Sequence, residues 1–197
     1  MKNLLPLALL LIFLGGIAFL GSWRYQNKFV ALDETVNLAF GNLQSDYQRR
    51  ADLIPNLVNT VKGVADFEKE TLEALTSARA RATSINIDPS NVTPAQLEQF
   101  QEAQSGISQS LGRLLMISEN YPQLRATESF KELQVQLEGT ENRIKVARNK
   151  FNEAVSKYNV AIRSFPGSLF AGIFGFDKKP TFQAEEGAQN APTVDFN

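Results

Sequence analysis

The sequence predicts an all-α protein, with an N-terminal transmembrane helix followed by an antiparallel bundle of about four long helices. Three observations carry this. Residues 4–23 hold no formal charge. From Arg24 to Phe165 the apolar residues recur at helical spacing, with no sustained strand alternation. Pro and polar clusters then cut that stretch into a few long segments rather than many short ones.

The first segment, LLPLALLLIFLGGIAFLGSW, runs from Leu4 to Trp23. At ~1.5 Å per residue, twenty helical residues cover about 30 Å, the thickness of a hydrocarbon core. Pro6 falls in the first turn, where a missing N–H costs little. Trp23 and Tyr25 suit the lipid–water interface, and Arg24 marks the exit. Residues 1–23 are therefore assigned to a single-pass membrane anchor. A cleaved signal peptide is the alternative, with Lys2 as its n-region and Gly16-Ile17-Ala18 as a small-x-small site. Phe19-Leu20-Gly21 carries the apolar run past that site, which favours the anchor. Lys2 and the α-amine on one side balance Arg24 and Lys28 on the other, so charge sets no orientation.

Residues 24–166 form the expected bundle. In the first helix, Arg24–Ala51, Phe29, Val36 and Leu43 are seven apart, and so are Phe40, Tyr47 and Ile54. The two rows interleave as a packing stripe. Pro55 predicts a turn or kink at Ala51–Pro55, with Asp52 as N-cap of a second helix that runs to Ala82 and buries Leu57, Val61, Val64, Leu72 and Leu75. Residues 84–93 read as a loop around Asp88-Pro89. Thr93-Pro94-Ala95-Gln96 is a capping box with Pro at the first helical position. It opens a third helix to Asn120 that presents Leu97, Phe100, Ile107, Leu111 and Leu114, and Tyr121-Pro122 closes it. In the fourth helix Phe130, Leu137, Ile144, Phe151, Tyr158 and Phe165 recur every seven residues. Leu133, Thr140, Ala147, Ala154 and Ala161 fill a companion row small enough for close approach. Pro166-Gly167 stops it. Residues 167–179 are a Phe/Gly-rich, membrane-proximal segment, and 180–197 a polar tail without regular structure.

Composition excludes whole classes of function. The chain has no Cys and no His, with 20 Lys+Arg against 21 Asp+Glu for a net charge of −1. Disulfides, Cys/His zinc sites, Cys nucleophiles, Ser-His-Asp triads and a phosphorelay His are unavailable. No basic excess supports nucleic-acid binding. No Gly-rich loop follows a strand, so nucleotide binding has no support. Glu68/Glu70 and Glu185/Glu186 read as solvated surface. No catalytic residue, metal ligand or cofactor is expected.

Two constellations remain. Extending the first helix's row from Leu43 puts Arg50 on the core stripe, beside Arg49. A charge there requires a buried partner, and Glu138 and Glu141 of the fourth helix lie at matching height. Counted from Arg24 and Phe165, all three stand about 36–40 Å above the membrane end. The expectation is a structural charge layer of Arg49, Arg50, Glu138 and Glu141 that fixes helix register; a ligand site at that height is the alternative. The second is an apolar patch of Leu169, Phe170, Ile173, Phe174 and Phe176. It reads either as a cap over the open end of the bundle or, with Trp23 and Tyr25, as a surface docked at the lipid interface.

Several blocks resemble one known family. They are YQRRADLIPNLV at Tyr47–Val58 with Glu68–Thr71, then LEGTENRI at Leu137–Ile144 with Ala147-Arg148 and Phe151–Ala154. The last are Phe165-Pro166, Phe174-Gly175-Phe176 and Val194-Asp195-Phe196. Together they are similar to the LemA family over nearly the whole chain. Phe40 stands where that family often has Trp. The resemblance implies a bacterial protein of the cytoplasmic membrane, with one N-terminal membrane helix and its bulk domain on the cytoplasmic side. It implies no enzymatic activity, and for some relatives a part in building intracellular membrane compartments. The expected function is a membrane-anchored, non-enzymatic scaffold that shapes membrane or organises the envelope, partnered by the bilayer. Val155 and Ile162 beside the main rows suggest a homo-oligomer. The runner-up is an adaptor subunit joined to other membrane proteins in a protease or transport complex.

Overall fold

The computed structural model describes residues 4–63 and 67–183, and for 4–20 the helical backbone alone. Six helices order the described residues: α1 (Leu4–Lys62), α2 (Lys69–Ser84), α3 (Pro94–Ser118), α4 (Pro122–Ala126), α5 (Glu128–Arg163) and α6 (Gly167–Phe174). No strand occurs among them. The fold is all-helical. Among the described residues no helix is long and apolar enough to cross a membrane. Side chains 1–20 of the expected anchor lie outside the described set, as do residues 184–197 of the expected tail.

The break expected at Ala51–Pro55 does not occur. α1 continues through Pro55 to Lys62, and the chain turns only after it. Proline lacks the N–H that Ala51 C=O would accept from in a helix. Arg79 of α2 supplies the missing donor, its Nε reaching Ala51 O at 2.7 Å. Asp52 is accordingly no N-cap; it accepts from Gln48 Nε2 at 2.8 Å. The capping box at the start of α3 is present, with Gln96 N donating to Thr93 Oγ1 and Thr93 N to Gln96 Oε1.

Helix lengths set the architecture. α5 has 36 residues, α3 25 and α2 only 16, or about 54, 38 and 24 Å. α1 packs along α5, and α2 packs against α3. α2 therefore covers only the half of α1 and α5 away from Trp23, whereas α3 reaches into the other half with Leu97 and Phe100. In that upper half, Ile54, Leu57, Leu75, Ile107, Leu114, Leu124, Phe130 and Leu137 form one core. In the lower half, Phe29, Val36, Phe40, Leu43 and Tyr47 of α1 meet Ile144, Phe151, Val155, Tyr158 and Ile162 of α5. Leu97 and Phe100 of α3, Ile87 and Val92 from the α2–α3 loop, Ala171 of α6 and Phe182 join that second core.

The seven-residue row of α5 is buried from Phe130 to Tyr158. Its last member, Phe165, is 81% exposed. α5 ends at Arg163, and Ser164 turns to extended backbone, so Phe165 leaves the helical face. Val155 and Ile162, which suggested a second copy outside, lie in the lower core. They offer it no surface.

Residues 175–183 form a strap along α5. Asn159 Nδ2 donates to Lys179 O at 2.8 Å and its Oδ1 accepts from Lys179 N at 3.0 Å. Asn152 holds Phe182 the same way, at 3.0 and 2.9 Å. Seven helical residues rise about 10.5 Å, and three residues of extended or polyproline-like chain cover roughly 9–10 Å. The two asparagines thus match the strap in register. Phe182 packs against Phe151 at 5.4 Å between ring centroids and Phe100 at 6.5 Å. The part of the expected unstructured tail that is described, 180–183, is pinned in place.

Candidate functional site

Arg50 is 1% exposed and sits between the two apolar cores. Its Nη1 donates to Ser108 Oγ at 2.8 Å and to Glu141 Oε1, and its Nη2 to Gln104 O and Oε1 at 3.0 and 2.8 Å. The guanidinium also lies 5.2 Å from the Tyr47 ring centroid. Nε is buried without a hydrogen-bond partner. Close by, Arg143 Nη2 donates to the fully buried Thr140 Oγ1, and Arg143 Nε stands 3.6 Å from Asp46 Oδ1.

Of the four residues placed in the charge layer, the structure brings two together. Glu138 points to solvent, where it accepts from Gln134 Nε2. On α5 it lies about 60° further round than Glu141, beyond the edge of the buried stripe. Arg49 is exposed on α1. Gln104, Ser108 and Thr140 are the members that sequence reasoning missed. A signal existed for two of them. Gln104 interrupts the row Leu97, Phe100, Ile107, Leu111 of α3, and Thr140 interrupts the companion row of α5.

The layer is poorly suited to chemistry. Its one fully buried charge is the Arg50 guanidinium, whose Nη atoms are both taken up by Ser108, Glu141 and Gln104. Glu141 is 43% exposed and is held by that cation. Among the described residues no group of three Asp or Glu side chains is placed to hold a metal ion. What the arrangement does do is fix α1, α3 and α5 at one height, since each donor finds its acceptor in only one register.

At the other site, α6 lies along α1. Phe170 stacks on Tyr25 with centroids 5.0 Å apart, and Phe176 meets Phe29 edge-on at 5.3 Å. A Cβ on Gly167 would stand 2.5 Å from Ala161 O and 3.3 Å from Phe29 Cζ, so only glycine permits this approach. Gly175, at φ 72°, ends α6, and Phe176 N reaches back to Ala171 O at 3.0 Å. α6 thereby acquires two faces. Phe170, Phe174 and Phe176 are half-buried. Leu169 and Ile173, one turn apart, are 60% and 74% exposed. Trp23 is 61% exposed at the same end, with Phe165 nearby.

The strap is locked above this base. Lys179 is buried, and its Nζ donates to Asp33 Oδ1 at 2.9 Å and to the carbonyls of Pro89 and Ser90. Tyr158 donates its hydroxyl to Asp177 O at 3.0 Å. Burial, and after it the carboxylates of Asp33 and Asp177, push that phenol up to about 12.

Comparison with known proteins follows the same blocks of sequence. The profile of the LemA family matches residues 39–196. Magnetosome protein MamQ 2 of Paramagnetospirillum magneticum is 27% identical over 199 residues, 90% of this chain and 72% of its own. Magnetosome protein MamQ of Magnetospirillum gryphiswaldense is 27% identical over 190 residues, 87% of this chain and 68% of its own. Protein LemA of Metamycoplasma hominis is 23% identical over 161 residues, 82% and 70% of the two chains. The matched region takes in Arg50, Glu141, α6 and the strap, and the chain belongs to the LemA family.

Proposed function

We propose that this protein is a single-pass, membrane-anchored, non-enzymatic scaffold whose bundle stands with its base on the lipid surface. The observation that carries the reading is the exposed apolar set Trp23, Phe165, Leu169 and Ile173. It lies at the end where the uncharged sequence Leu4–Trp23 enters the bundle. α6 has eight residues, about 12 Å, too short to cross a bilayer and long enough to lie in its interface. Each such side chain gains up to about 1.5–3 kcal/mol when fully buried, so lipid contact at four of them supplies several kcal/mol. Phe170 and Phe176 take the capping role on α1, and Leu169 and Ile173 face the lipid. The upper bundle, held in register by Arg50, presents the surface that organises membrane. The likeness to magnetosome proteins points the same way as the compartment-building role implied by the family.

Trp23 is the sole tryptophan of the chain, which makes it a native probe. In full-length protein reconstituted into phosphatidylcholine vesicles, lipids spin-labelled near the headgroup should quench Trp23 more strongly than aqueous acrylamide does. Trp23 open to acrylamide and untouched by labelled lipid would overturn the reading.

A further inference from the structure

At the base, the facing sides of α1 and α5 leave a notch of about 450 Å³, within the roughly 300–1,000 Å³ range of small-molecule sites. Leu32, Val160, Ala161 and Phe165 give it apolar walls, and Lys28 and Lys157 stand on it. Lys157 is committed to Glu153, with Nζ 2.6 Å from Oε1. Lys28 has no ion pair among the described residues. The surroundings carry more cations than acids. Residues 21–33 and 153–178 bring Arg24, Lys28, Lys157, Arg163 and Lys178 to this end against Asp33, Glu153 and Asp177, and Glu153 is taken up by Lys157 and Asp33 by Lys179. The notch also runs into the exposed Phe165 of the apolar base.

We propose that this notch binds one anionic phospholipid of the bilayer, an acyl chain between α1 and α5 and the phosphate on Lys28. The proposal rests on the interface reading above and adds a lipid class and a residue to it. A zwitterionic headgroup brings its own cation toward Lys28, Arg24 and Lys157, whereas an anionic one does not. A free anion fits the ammonium and leaves the apolar walls unused. A juxtamembrane cation contributes about 1 kcal/mol toward an anionic lipid, about five-fold in affinity.

The test uses the full-length chain in neutral detergent, with bound lipid counted by native mass spectrometry. Phosphatidylglycerol and phosphatidylcholine of matched acyl chains are added separately. The expected result is one retained phosphatidylglycerol per chain, at least five-fold favoured over phosphatidylcholine. Lys28→Gln should cut phosphatidylglycerol retention about five-fold and leave phosphatidylcholine unchanged. Ala161→Phe, which fills the notch, should cut both; if it lowers helicity, Ser156→Phe on the exposed rim replaces it. Equal retention of the two lipids, an unaffected Lys28→Gln, or displacement by inorganic phosphate alone at equal concentration would overturn the site. With Trp23 still shielded by lipid, those results leave the interface reading standing; Trp23 in water overturns both.

Discussion

The Arg50–Glu141 pair is asymmetric, and the asymmetry predicts which partner matters more. Arg50 is 1% exposed, whereas Glu141 is 43% exposed. Replacing Glu141 by Ala leaves a buried guanidinium without its counter-charge. Breaking a buried pair this way costs about 3–5 kcal/mol, and water entering at the half-open Glu141 position holds the loss near 3. Replacing Arg50 by Met, of comparable length, removes the buried charge itself. Glu141 then returns to water, and the main cost is the Gln104 side chain, 7% exposed, left without its donor, about 1–3 kcal/mol. Adding Glu141→Ala to Arg50→Met should cost under about 0.5 kcal/mol more, which gives a large coupling energy in the double-mutant cycle. Glu138→Gln and Arg49→Gln should each stay within about 0.5 kcal/mol of wild type, as exposed residues do. Urea unfolding of the full-length chain in detergent, followed by far-UV circular dichroism, measures these five variants and the Arg50→Met/Glu138→Gln double that closes the second cycle. If Arg50→Met costs as much as Glu141→Ala, or if Glu138 couples to Arg50 as strongly as Glu141 does, the assignment of the buried charge is wrong.

Two further outcomes follow from single contacts. Arg79→Met should destabilise by about 1–3 kcal/mol because Ala51 O loses its donor. In a Pro55→Ala background, where residue 55 regains an N–H, the same change should cost almost nothing, and equal costs in both backgrounds would refute the link between the two. Tyr158 titrates at about 12 in the fold against about 10 unfolded, so the stability it contributes is intact below pH 10 and is lost as pH climbs to 12, by at most about 2–3 kcal/mol. The stability difference between wild type and Tyr158→Phe should shrink by that amount over this window, and parallel pH profiles would show that the phenol titrates normally.

Which parts of this were legible in the sequence depends on how local their causes are. The rows Phe29–Leu43 and Phe130–Tyr158 were readable because a buried helix face repeats every seven residues whatever it packs against. Arg50 was readable for the same reason, as a charge on an apolar row. Pro55 misled because its rescue comes from Arg79, 28 residues from the carbonyl it serves, and nothing near Pro55 announces that donor. Phe165 misled because its row continues arithmetically past the point where Ser164 leaves the helix.

The deeper miss was the length of α2. Starting it near Asp52 makes four helices of similar reach, and then the α2–α3 loop and the tail have nothing to cover. Starting it at Lys69 leaves the lower halves of α1 and α5 without α2 and with only the first turns of α3, at Leu97 and Phe100, against them. The loop, α6 and the strap must then close them. Asn152 and Asn159 are the pins of that closure. The same fact places Arg50. It stands where the upper core, which α2 helps to build, gives way to the lower one, which α2 does not reach, the height at which a slip of α3 along α1 would disturb both. Apolar contacts tolerate such a slip, because Leu and Ile pack about as well one turn away. A guanidinium that must find Ser108, Gln104 and Glu141 together does not.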